Sequence, residues 1–259
     1  MALKTSARIG GLLLLALFLG GANGGGCGGK NVFEGSADKS GTDAALEAAR
    51  IAIDQKDYSS AIATLTGLCG ASPTAPSCDP PTVSLLASAY MGRAGVDTLL
   101  LIGNAENVGS GPCAFTLFSK FFSQQTSQQL LQDQADLNTS LALLNAIPNR
   151  TADQYFQLEL AAIFEMAVEL GLAGGGYTSS GTVVTLPSSP GAIPAATVTS
   201  IDLDQGYVQA GLTGSGLAQQ KIGQTIAQVL SALSSVGGTG AVNGDGIFAF
   251  LQLLNGSGC

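Results

Sequence analysis

TDAALEAARIAIDQKDYSSAIATLTGL, residues 42–68, carries two apolar stripes of helical period separated by a short polar break. Ala45, Leu46, Ala49 and Ile53 recur at three- and four-residue steps, and Thr42 stands where a helix cap belongs. A turn is expected over Gln55–Asp57, after which Tyr58, Ile62, Leu65 and Leu68 mark the inner face of a second helix. Alanines fall where the two helices must approach closely, so the stretch reads as an αα-hairpin. The fold class that follows is all-α.

This hairpin resembles a tetratricopeptide repeat (TPR), a helix-turn-helix unit of about 34 residues. Ala49 matches the family's small contact residue, Lys56-Asp57-Tyr58 its turn, Ala61 the second helix contact and Pro73 its end. A second match lies in LLASAYMGRAGVD, residues 85–97, where Leu86, Ala87, Ala89 and Tyr90 follow the family's L-(G/A)-x-A-Y run and Gly95 falls near the turn. Ala87 comes 38 residues after Ala49, and the surplus sits in the loop GASPTAPS between Cys69 and Cys78. The resemblance implies a stack of antiparallel helix pairs with a concave groove for peptides or partner proteins. Tyr58 and Tyr90 are the groove positions it suggests, with core packing as the competing reading.

Outward from the hairpins, residues 115–148 and 150–172 are helical by pattern, and Phe156, Leu160, Phe164 and Val168 form a four-residue stripe. They complete a TPR-like helical domain expected over residues 42–172. Residues 173–216 turn to Gly, Ser, Thr, Pro and Val, without helical period; this irregular insertion is expected to hold at most a hairpin of TVVTL with ATVTSI, or to be a low-complexity linker. Helix returns over residues 217–259, in LAQQKIGQTIAQVLSALSSV and GIFAFLQLL, packed on the same domain.

Towards the other end, Lys4 and Arg8 precede IGGLLLLALFLGG, an apolar run of the length of a signal-peptide core and too short to span a bilayer comfortably. Small residues then lead to Cys27. This order resembles a bacterial lipoprotein signal, which implies a signal peptide over residues 1–26, a lipidated Cys27 and a flexible tether over residues 27–41. Gly24 occupies a position where the pattern prefers an aliphatic residue. Ordinary cleavage after Gly24 and an uncleaved anchor are the alternative readings. The chain has five cysteines, an odd number for an exported protein. With Cys27 given to lipid, Cys69 is expected to pair with Cys78 across their short loop, which leaves Cys113 for Cys259; buried, reduced thiols are the alternative reading.

Composition narrows the chemistry. A formal charge of −8 argues against nucleic acid and against anionic lipid surfaces as electrostatic partners. The chain has no histidine, the commonest general base and metal ligand. Glu165 with Glu169, and Asp202 with Asp204, are carboxylate pairs of the kind glycosidases use, read here as solvated faces. GGKN at residues 28–31 lacks the spacing of a phosphate loop. AVNGDGIF, residues 241–248, looks like part of an EF-hand loop through Asn243, Asp245, Gly246 and Phe248, yet Ala241 and Leu253 stand where first and last ligands are needed. No catalytic residue, cofactor or metal is therefore expected. The reading is a non-enzymatic, lipid-anchored scaffold of the outer membrane facing the periplasm, binding an envelope protein or peptide. The alternative is a ligand-binding accessory component of a solute transport system.

Overall fold

The structure, a computed structural model, describes residues 41–72, 74–105, 111–216, 221–235 and 242–256. The expected signal peptide, tether and lipidation site Cys27 lie outside the described residues, and so does Cys259. The described chain is all-α, with no strand beyond single bridging residues among those residues.

The first hairpin forms where the apolar periods placed it, as α1 (Thr42–Asp54) and α2 (Tyr58–Cys69). Lys56 turns the chain with a left-handed φ of 60°. Asp57 then caps α2, its carboxylate accepting from the Ser60 N–H at 3.2 Å. α2 runs into the Cys69–Cys78 disulfide, with the two Cα atoms 4.5 Å apart. Closing that short loop stabilises the fold by about 2–3 kcal/mol through the unfolded chain. α3 (Pro80–Arg93) begins on two prolines, which suit a first turn whose N–H groups have no helical partner.

α3 lies between α2 and α6 (Ser127–Ala146), while α4 (Thr98–Ala105) packs against the short α5 (Thr116–Ser119) and α9 (Lys221–Ser235). Arg93 clamps α3 to α6: its guanidinium donates to Asp136 through Nε at 2.7 Å and Nη2 at 2.6 Å, and stacks over the Tyr90 ring. Capping boxes start both long helices, Thr126 with Gln129 on α6 and Thr151 with Gln154 on α7 (Ala152–Ala173). Between them Arg150 donates to the carbonyls of Leu144 and Asn145, closing the carboxyl end of α6.

α7 is the axis of the domain. Every residue from Leu158 to Gly171 is buried, because α3, α5, α6 and α8 (Ala195–Ser215) all pack on it. Phe118, Phe121 and Phe122 meet the Phe164 ring edge to face at centroid distances of 5.5, 5.0 and 5.9 Å. α8 approaches closely because Gly211 and Gly214 carry no side chain against Tyr155 and Glu159. α9 and α10 (Gly244–Gly256) pack on each other and on the 3₁₀ turn at Gly111–Phe115, where Phe250 meets Phe115. One hydrophobic core runs from Ala49 to Leu254.

The irregular insertion expected over residues 173–216 is much shorter. Only residues 174–194 lack a long helix, and ATVTSI belongs to the 21-residue α8 rather than to a hairpin. TVVTL contributes a single bridge, Val183 to Tyr177. The buried face of α8 consists of Ile201, Asp204, Gln205, Val208 and Gly211, so its helical period is carried largely by polar and small residues. Among the described residues, no helix is long and apolar enough to cross a membrane.

Candidate functional site

Two places in the molecule bring side chains together beyond what packing alone requires. One is a cleft between α3 and α7. Ser88 and Met91 line it from α3, Val96 from the following turn, Thr98 from the start of α4, and Asp153, Phe156, Gln157 and Leu160 from α7. Its volume is roughly 350 Å³. Ser84 donates to Gln157 Oε1 at 2.5 Å and ties the two helices together beside it. Phe156 of the sequence stripe thus stands half-buried in the wall of the cleft with Leu160 buried at its floor, while Phe164 and Val168 further along α7 lie wholly in the core.

The two tyrosines do not share a groove. Tyr58 lies flat against Gly92 of α3, where an added Cβ would come within 2.2 Å of its ring. Tyr90 is two residues earlier on α3 and so leaves the helix in another direction. It lines a smaller hollow of roughly 170 Å³ with Thr66, Gly70, Leu86, Thr139 and Leu143, next to the disulfide loop. Both rings are half-buried.

The second place is internal. Glu165 and Glu169, read from sequence as a solvated face, are 0% and 4% exposed, and Asp204 is 2% exposed. They are buried because α7 has a neighbour on every side, so no face of it is left for solvent. α6 supplies Gln134, donating to Glu169 Oε1 at 2.5 Å, and Asn138, donating to Glu165 Oε1 at 3.0 Å. α8 supplies Ser200, 3.5 Å from Glu165 Oε1, and Thr197, which bonds Glu169.

Burial raises the pKa of Asp204 to about 11, far above the carboxylate range, and a hydrogen bond with Glu165 and the charges of Glu165 and Glu169 push it in the same direction. Glu169 is raised by burial and by the charge of Glu165, against the opposing hydrogen bonds. One turn and a half earlier on α7, burial lifts Glu159 to about 7 although Ser215 donates to it. Asp202, the sequence partner of Asp204, faces elsewhere and accepts from the Val242 N–H at 3.3 Å.

Asn243 Oδ1, placed in the EF-hand-like stretch, accepts from the Gly246 N–H at 2.8 Å, the bond of a helix cap. Asp245 is exposed. Among the described residues, no group of three potential ligands is arranged to hold a metal ion. Cys113 is disulfide-bonded; its expected partner, Cys259, lies outside the described residues. The buried acids were missed from sequence because only the position of α8 reveals them, and α8 has no apolar period to announce it. Compared with family models, with curated proteins and with solved structures, the chain finds no match.

Proposed function

We propose that this chain is a lipid-anchored envelope protein that docks another protein or peptide through the surface around the α3–α7 cleft. The cleft carries the reading: an apolar lining of Met91, Val96, Phe156 and Leu160 is edged by Ser88, Thr98, Asp153 and Gln157, the pattern of an apolar anchor site with a polar rim. The Cys69–Cys78 disulfide supports an oxidising compartment. The clustered acids Glu165, Glu169 and Asp204 are sealed inside the helix layer, away from the cleft. This supports binding over acid–base chemistry. The lipid anchor at Cys27 and the outer-membrane address rest on the resemblance of the leader, and the repeat-like stacking rests on the resemblance of residues 42–97.

A second reading, a small-molecule component of solute transport, has the size of the same cleft in its favour, since pockets for such ligands start at about 300 Å³. A photo-crosslinking residue at Asp153, on the cleft edge, separates the two in bacterial cells, with exposed Gln209 on α8 as control. A discrete protein adduct from position 153 and none from position 209 is the expected result. No adduct, together with a small molecule recovered by solvent extraction of the purified protein, would replace docking by the second reading. Neither adduct nor ligand would remove both.

A further inference from the structure

The junction of α6, α7 and α8 encloses three carboxyl groups and gives them no cation. Among the described residues, the ion pairs lie elsewhere: Arg50 with Glu47, Lys56 with Asp97 and Arg93 with Asp136. Lys120, on the turn that packs on α7, is exposed, and Arg150 is spent on the end of α6. The other acids of the packed elements add negative charge or face away. Asp133 and Asp136 lie on α6, the latter held by Arg93. Glu159 lies further along α7 against Ser215. Asp202 caps a backbone N–H, and Asp245 of α10 and Asp153 of α7 are exposed.

Burying three ionised carboxylates together without a counter-charge costs far more than a helix contact returns. Hydrogen bonding shows how the cost is avoided. Gln134, Asn138, Ser200 and Thr197 satisfy one side of the group, but Glu165 Oε2 and Asp204 Oδ2 are buried with no conventional donor. Buried carboxyl oxygens without a donor are relieved when one of the carboxyls is a carboxylic acid, whose O–H a neighbouring carboxylate accepts.

We propose that Asp204 and Glu165 share a bound proton, with Glu169 beside them, and that this proton fastens α8 to α7 and α6. While it is held, Asp204 is an uncharged acid that donates its O–H to Glu165, and the seam carries one negative charge fewer. When it leaves Asp204 for solvent, the new negative charge faces those of Glu165 and Glu169 across the seam and α8 loosens. The latch is thus closed in acid and neutral solution and opens on the alkaline side. The sign follows from linkage. The native seam keeps a proton that the unfolded chain releases near pH 4, so the native state binds more protons above that pH and stability falls as pH rises.

The test is native-state hydrogen exchange of the intact chain, with protection factors compared at pH 6 and pH 9 so that intrinsic base catalysis cancels. Protection of α8 amides is expected to fall by about tenfold or more, ahead of α2 and α3. Asp204→Asn keeps a donor to Glu165 at every pH and is expected to remove most of that pH dependence. Equal α8 protection at both pH values would overturn the proposal, as would an Asp204→Asn chain that loses α8 protection just as the natural one does. If that variant does not fold, Glu159→Gln takes its place, since Glu159 also meets α8 through Ser215: α8 protection that still falls about tenfold assigns the fall to the Asp204 seam, and loss of the pH dependence would overturn the proposal. Restoration of α8 protection at pH 9 by millimolar Ca²⁺ would also overturn it, by showing a cation site instead of a proton site.

Discussion

Replacing Gly211 with valine is expected to lower the thermal midpoint by about 6–12 °C, or to prevent folding, corresponding to a cost of about 3 kcal/mol or more. The reason is the closeness of α7 and α8. A Cβ at Gly211 would lie 2.3 Å from Glu159 Cβ, 2.9 Å from Glu159 Cα and 2.9 Å from the Tyr155 carbonyl oxygen. Two of those three atoms are backbone, so no rotamer change relieves the clash. The helices must separate, and separation wets Glu159 and the Asp204 seam. Gly206, on the same helix, is the control: nothing lies within 4 Å of its Cβ position. Gly206→Ala is expected to gain about 0.5–1 kcal/mol from helix propensity. Circular dichroism melting of both variants is sufficient, and an unchanged midpoint for Gly211→Val would show that the two helices do not meet there.

Phe164→Ala is expected to cost about 3–5 kcal/mol, the range of a fully buried aromatic cut back to its first carbon. Phe164 is 0% exposed, and three rings of the FTLFSKFF stretch close on it from Phe118, Phe121 and Phe122. Those rings sit on a short α-helical turn and a 3₁₀ turn, which cannot follow the missing ring without giving up their own helical bonds. The cavity therefore stays open. Phe156→Ala removes a ring of the same size from the cleft wall, where it is only partly buried, and about 1–2 kcal/mol is expected. Guanidinium unfolding of the two variants measures the difference. Equal losses would contradict the placement of Phe164 at the centre of the core.

The pattern that made these positions recognisable in the sequence is uneven. The apolar periods of α1, α2 and α7 are written in Leu, Ile, Val, Phe and Ala, and those helices lie where the period put them, while α3 covers Leu85–Arg93 of the LLASAYMGRAGVD match and starts five residues before it. α8 buries an aspartate, a glutamine and a glycine on its inner face, and its threonines and glycines argue against helix by propensity. Contacts with α7 override that preference, and such contacts are absent from any local window. The same blind spot hid the carboxyl cluster, because an i, i+4 acid pair reads as a solvent face unless the helix is known to be covered all round. The Cys69–Cys78 pair was legible from loop length alone. The cleft was half legible: Phe156 and Leu160 belong to the stripe, but α3 as their opposite wall depends on α3 lying beside α6 and α7.

Anchoring of this disulfide-bonded helical domain through Cys27, on which the envelope reading rests, is most directly tested by peptide mass spectrometry under non-reducing conditions, on protein made in a bacterium that processes lipoproteins. The account predicts a mature chain beginning at a diacylated Cys27, with Cys69 linked to Cys78 and Cys113 to Cys259. A chain beginning at Gly25 with an unmodified Cys27, or free thiols at Cys69 and Cys78, would contradict it.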